Sequence, residues 1–219
     1  MPRKPLLGNE AKMRKVTDTH IEKGKGLRHR FAQLISPFLI FFISPLLLSC
    51  EGENQYNTQY PCSFVFHAQY HITSRLTLCL NNPGEFVIVS TQLRKGVTHL
   101  IVSPNNGQED EDIPLTTAIE NERTNYQNMG VGGSLIIGFA TVGELRAYDR
   151  QCPNCLQEFG GHNYPLTWAD RGLHVSCSRC HRIYDLNGFI PVCTNGQEGD
   201  RPLLQYKPSY DGQRLYVHN

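Results

Sequence analysis

Two cysteine pairs constrain this chain more than any other feature. Cys152-Pro153-Asn154-Cys155 is followed, after residues 156–176, by Cys177-Ser178-Arg179-Cys180, with His181 next. Two thiolates three residues apart on a tight loop grip one side of a small tetrahedral metal centre, and a second such loop closes the other side. The expected pattern is C-x₂-C, roughly 15–20 residues, then C-x₂-C, and the gap here falls just past that range. Thiolates are soft ligands that suit Zn²⁺ and iron–sulfur clusters. The candidate ligands are therefore Cys152, Cys155, Cys177 and Cys180. Pro153 stiffens the first turn, Arg179 carries a charge able to offset the thiolates, and His181 adjoins the second pair. Two other readings stay open at this point. Two disulfides are one, since exported proteins retain them. A thiol–disulfide exchanger is the other, although its C-x-x-C normally opens a helix in a βαβ setting, and the sequence shows no such pattern.

Everything before Cys50 reads as delivery. Phe31 to Ser49 (FAQLISPFLIFFISPLLLS) carries no charge, and a basic stretch precedes it. That is the layout of an export signal. Residues 1–30 hold nine Lys/Arg against three acids, which leaves 12 bases against 17 acids in residues 51–219. The basic leader is long for a signal, so translation is expected to start near Leu27. It contains no Arg-Arg pair, the mark of export in the folded state. A hydrophobic run of nineteen residues is nearly enough to span a bilayer, but Pro37, Pro45 and the small residue before Cys50 weigh against an uncleaved span. Leu47-Leu48-Ser49-Cys50 resembles the lipobox of bacterial lipoproteins. The resemblance implies cleavage before Cys50, lipid attachment at Cys50, and a membrane-anchored protein of the cell envelope facing outside the cytoplasm. Two or more acyl chains would hold it stably. The polar tether that follows, with Glu51-Gly52-Glu53 directly after the cysteine, resembles the surface-export signals of Bacteroidota lipoproteins. The organisation is then 1–49 leader and signal, 50–60 lipid-attachment cysteine and tether, and 61–219 a folded domain.

That domain is mildly acidic, which excludes nucleic acid as a partner class. Nineteen Gly and 13 Pro, with few long apolar helical repeats, favour a loop-rich β protein. Strands are expected at 63–70, 75–80, 85–90, 97–102, 134–139, 143–149, 173–176 and 183–188, and in a final hairpin around Asp211-Gly212. Asn81-Asn82-Pro83-Gly84 is a turn. The acidic stretch 103–112 reads as a solvated loop whose acids have no evident partner. Met129-Gly130-Val131-Gly132-Gly133 precedes a strand, whereas phosphate loops follow one and open a helix, so it reads as flexible backbone. Tyr164 and Trp168 are expected to cover the site. Cys62 and Cys79 could bridge the first strands, and Cys193 is left over. No Ser–His–Asp or paired-carboxylate arrangement stands out, and no small-molecule substrate is indicated.

Tyr148-Asp149-Arg150-Gln151-Cys152-Pro153 resembles the approach to the first cluster-binding loop of Rieske iron–sulfur proteins. Leu173-His174-Val175-Ser176-Cys177, Cys180 and Tyr184-Asp185 resemble their second loop, and 202–206 with the final hairpin resemble their closing strands. The likeness covers about residues 129–219. It implies an all-β fold, a Rieske-like barrel or sandwich of short antiparallel strands with two metal-binding loops at one end. The departures lie in the ligands: Asn154 stands where the family has its first histidine, and Cys180 replaces the second. A Rieske centre needs two histidines on one iron. The expectation is an all-cysteine site holding either one structural Zn²⁺ or a 2Fe–2S cluster that passes single electrons to an envelope protein partner. Export without a folded-protein signal favours zinc. Four protein ligands leave no open position, so catalysis at the metal is not expected.

Overall fold

Side chains alternate between the two faces of a strand, and here both faces of the central strands are apolar. In β2 (Phe86–Arg94) and β6 (Ser134–Phe139), Val87, Val89, Leu135 and Ile137 point to one core, while Phe86, Ile88 and Ile136 point to another. The chain must therefore cover this sheet on two sides, and it does so with two different structures. The computed structural model describes residues 55–219; Cys50, the leader and the start of the tether lie outside the described residues.

The other elements are β1 (Cys62–Phe66), α1 (Arg75–Cys79), β3 (Val97–Pro104), β4 (Glu111–Pro114), β5 (Asn128–Met129), β7 (Leu145–Asp149), α2 (Pro153–Phe159), β8 (Leu166–Ala169), β9 (His174–Cys177), β10 (Ile183–Asp185), β11 (Gln205–Tyr210) and β12 (Leu215–His218). Nine strands form one sheet in the order β4-β3-β2-β6-β7-β11-β12-β1-β5, and three form another in the order β10-β9-β8. Every pairing is antiparallel. The fold is thus mostly antiparallel β, as the composition predicts. The first core is closed by Phe64 and Phe66 of β1, Leu215 and Val217 of β12, and Leu76 and Leu80 of the α1 region.

The expected strand at 75–80 is instead the helix α1. Ser74 caps it, its hydroxyl accepting the Thr77 N–H at 3.1 Å, and Leu76 and Leu80 face the core together because residues four apart share a helical face. Two of the four acids of 103–112 do find partners. Glu111 accepts the unpaired first-turn N–H of Arg75 at 2.7 Å, and Asp112 pairs with His99 and Arg94. The final hairpin forms as expected, with Asp211 accepting the N–H groups of Gln213 and Arg214.

Residues 150–204 form a lobe that leaves the large sheet from β7 and returns through β11. These two strands are neighbours, pairing Tyr148 with Gln205 and Ala147 with Tyr206. The lobe carries α2 and β8–β10, and its buried Leu166, Val175, Tyr184 and Leu186 pack on Ile88, Ile136 and Tyr148 to make the second core. Its docking is fixed at Gly172. Asn105, just after β3, donates from Nδ2 to Gly172 O and to Gly84 O, both at 3.0 Å. A Cβ on Gly172 would fall 1.6 Å from Asn105 O, and its φ is +85°, so only glycine fits.

Candidate metal centre

Both cysteine pairs lie in this lobe. β7 ends at Asp149, whose buried carboxylate accepts Val131 N–H at 2.6 Å, Gln151 N–H at 2.8 Å and the Tyr206 hydroxyl at 2.9 Å. Burial raises the Asp149 pKa above its usual range against the pull of these donors. The chain leaving the strand is thereby fixed, and Cys152 follows with its N–H on Tyr164 O at 2.9 Å. Cys152 is the N-cap of α2 and Pro153 occupies the first helical position, where its missing N–H is no loss. Cys155 then sits within the first turn, on the same side as Cys152. The first pair thus opens a helix, which the sequence reading did not anticipate, but the setting is antiparallel.

The second pair ends β9. Cys177 accepts the His181 N–H on its carbonyl at 2.9 Å and donates its own N–H to Arg182 O at 3.0 Å, closing a tight turn across 177–182. His181 takes φ +60° to allow the reversal, a conformation unusual outside glycine and asparagine. Asn195 Nδ2 donates to His181 O at 2.9 Å and Arg182 Nη1 to Cys180 O at 3.3 Å.

The four sulfurs meet. Cys152 Sγ lies 3.6 Å from Cys180 Sγ, Cys155 Sγ lies 3.7 Å from Cys177 Sγ, and all four fall within 4.8 Å of one another. A tetrahedron with metal–sulfur arms of ~2.3 Å has edges of ~3.8 Å. The cage therefore fits a single ion with little adjustment. Cys152, Cys155 and Cys177 are buried and Cys180 is half-buried. Burial pushes the Cys152 thiol up to about 12, against the pull of the Cys155 amide and the Tyr184 hydroxyl. Burial, with Cys180 and Cys177 alongside, pushes the Cys155 thiol up as well. Burial also opposes ionisation of Cys177, but the amides of Cys180 and Arg179 together with the Cys155 and Cys152 thiols hold it below its ordinary value. An electropositive backbone turn thus favours a thiolate at the second loop, whereas the first-loop thiols resist ionisation.

A second layer orients the cage. The Tyr184 hydroxyl, fully buried, lies 3.7 Å from Cys152 Sγ and accepts from Asn154 Nδ2 at 2.7 Å. Asn154 Oδ1 accepts Arg201 N–H at 2.9 Å. Asn154 and Tyr184 were missed as site residues by sequence reasoning. The only signals were the position of Asn154 inside the first pair and the Tyr184-Asp185 motif.

Of the expected supporting residues, Pro153 starts α2 as described. The Arg179 side chain stacks over Phe159, its guanidinium 5.0 Å from the ring centroid, so what it gives the site is its backbone N–H. His181 is exposed and outside the ligand group. Tyr164 and Trp168 pack against the core around the sulfurs, as covering residues do. His174 Nδ1 lies 2.9 Å from Asp170 Oδ2. Cys62 and Cys79 are free and buried, one thiol on Val217 O and the other on Leu76 O and Ile137 O. Cys193 borders the lobe core with its thiol on Asn195.

No family model matches the chain, and neither a curated protein nor a solved structure matches it. What defines the protein is therefore its own architecture: an antiparallel β protein with a four-cysteine group able to hold a metal ion.

Proposed function

We propose that this chain is a lipid-anchored bacterial envelope protein whose Rieske-like domain holds one zinc ion through Cys152, Cys155, Cys177 and Cys180, in a structural or interaction role. The observation that carries this reading is the mutual approach of four sulfurs within 4.8 Å. In a Cys₄ diiron cluster the ligands are shared between two irons, and sulfurs on different irons stand further apart than one tetrahedral edge. The compact cage favours a single ion, and a closed set of four protein ligands favours a structural one. Burial of three of the thiols disfavours a disulfide exchanger, whose reactive cysteine is partly exposed. The Rieske-like assignment rests on the motif order and on the placement of both loops in a small three-stranded lobe inserted between neighbouring strands of a larger sheet. Loss of both family histidines, at Asn154 and Cys180, accounts for a change of metal on a retained scaffold. The envelope assignment rests on the uncharged run 31–49 and Leu47-Leu48-Ser49-Cys50.

Metal analysis and a visible spectrum of the full-length protein test the proposal. A colourless protein with one zinc per chain is the expected result. One iron per chain would keep the single-ion cage and remove zinc. Two irons with visible absorption would replace the proposal with electron transfer, and four oxidised cysteines without metal would replace it with disulfides. Mass spectrometry of the mature protein tests the anchor: an acylated N-terminal Cys50 is expected, and an intact leader contradicts it.

A further inference from the structure

The face of the large sheet that receives the metal lobe changes character along its strands. Ile88, Ile136 and Tyr148 sit side by side across β2, β6 and β7 and are buried beneath the lobe. Two residues further out, on the same face, the next row is Ser90, Ser134 and Arg150. Ser90 pairs with Ser134, and Arg150 donates its N–H to Ser134 O at 3.1 Å. Here the lobe no longer covers the sheet. A cleft of about 420 Å³ opens instead, walled by Gly132 and Gly133 on one side and by the loop of His162 on the other.

The chemistry of this cleft is one-sided. Its lining contains a guanidinium, a histidine, hydroxyls and amides, and no carboxylate. Arg150 is half-buried and held by Nε, which donates to Leu166 O at 2.9 Å. Among the described residues no carboxylate forms an ion pair with it, and the nearest acidic influence is Asp110, which acts on it through space without a hydrogen bond. A fixed, partly desolvated guanidinium whose terminal nitrogens carry no hydrogen-bonded carboxylate, in a concave site with no acid in its lining, is built to receive an acceptor, and its planar fork matches an oxyanion. We propose that this cleft binds a small oxyanion-bearing ligand, a phosphate or a carboxylate, with Arg150 as its anchor. The site is separate from the sulfur cage and does not depend on which metal fills it, although Arg150 lies two residues before Cys152 and would report occupancy to the first loop through the backbone.

The test is a titration of the full-length, metal-loaded protein at constant ionic strength, with inorganic phosphate in one arm and succinate in the other. ¹⁵N resonances of the Arg150 side chain and the Gly132 and Gly133 amides are followed. Saturable shifts confined to these groups are expected. Saturation by phosphate alone assigns a phosphate ligand, and saturation by succinate alone a carboxylate. Arg150→Met should weaken binding at least tenfold. Because that change also removes the bond to Leu166, Ser90→Asp is the second variant: it keeps Arg150 and places a competing carboxylate in the cleft, and should also weaken binding at least tenfold with metal content unchanged. Linear, unsaturated shifts with both anions, or saturable shifts that survive both substitutions, would overturn the proposal.

Discussion

Tyr184 shows how one side chain ties the two cysteine loops together. It leaves the strand after the second loop, yet its hydroxyl reaches the first cysteine of the first loop and takes a hydrogen from Asn154. Tyr184→Phe would remove a donor from Cys152 and leave the half-buried Asn154 amide without its acceptor. A loss of about 1–2 kcal/mol is expected from denaturant unfolding of the metal-loaded protein; an unchanged midpoint would show that the contact is not formed. The thiols set a second expectation. Without metal, Cys152 and Cys155 stay protonated at neutral pH because burial raises both, and metal binding must release those protons. With at least two released, apparent affinity should rise about 100-fold per pH unit between pH 6 and 8, measured by chelator competition. A flat profile would mean that the thiols are already ionised. In the sequence, cysteine identity and spacing already pointed to the four sulfurs that converge. They could not give the side-chain directions that turn Arg179 onto Phe159 and His181 into solvent, because these follow from the left-handed turn at 181.

At the scale of elements, the informative failures are the two helices. Arg75–Leu80 alternates polar and apolar for a few residues, which mimics a strand. The signals that decide it are a cap at Ser74 and a carboxylate at Glu111 brought in from 36 residues away, and the second is invisible to any local window. Ser74→Ala should cost about 1 kcal/mol of stability, read from thermal or denaturant unfolding. The first cysteine pair likewise reads as a loop, and becomes the start of α2 only because Cys152 caps it and Pro153 fits its first turn. Gly172 is a contact between elements rather than within one. Gly172→Ala drives a methyl group into Asn105 O and strains a left-handed residue, so the lobe must shift off the sheet. A cost of about 1–3 kcal/mol is expected, with increased amide exchange around 105 and 172. An unperturbed variant would show that the lobe docks by other contacts.

At the scale of the molecule, the unbroken apolar runs of β2 and β6 require a sheet covered on both faces. The sequence did not reveal that the second cover is a lobe with its own core, organised around sulfur. Two cores with separate supports should lose stability separately. Removing the metal with a chelator should expose amides of 150–204 to hydrogen exchange while β1, β2, β6 and β12 stay protected. Uniform loss of protection would show instead that the sheet cannot stand without the lobe. X-ray absorption at the metal edge reads the sulfur cage most directly. A single shell of four sulfurs at ~2.3 Å, with no second metal nearby, is the predicted result. Metal–metal scattering, or nitrogen in the first shell, would contradict it.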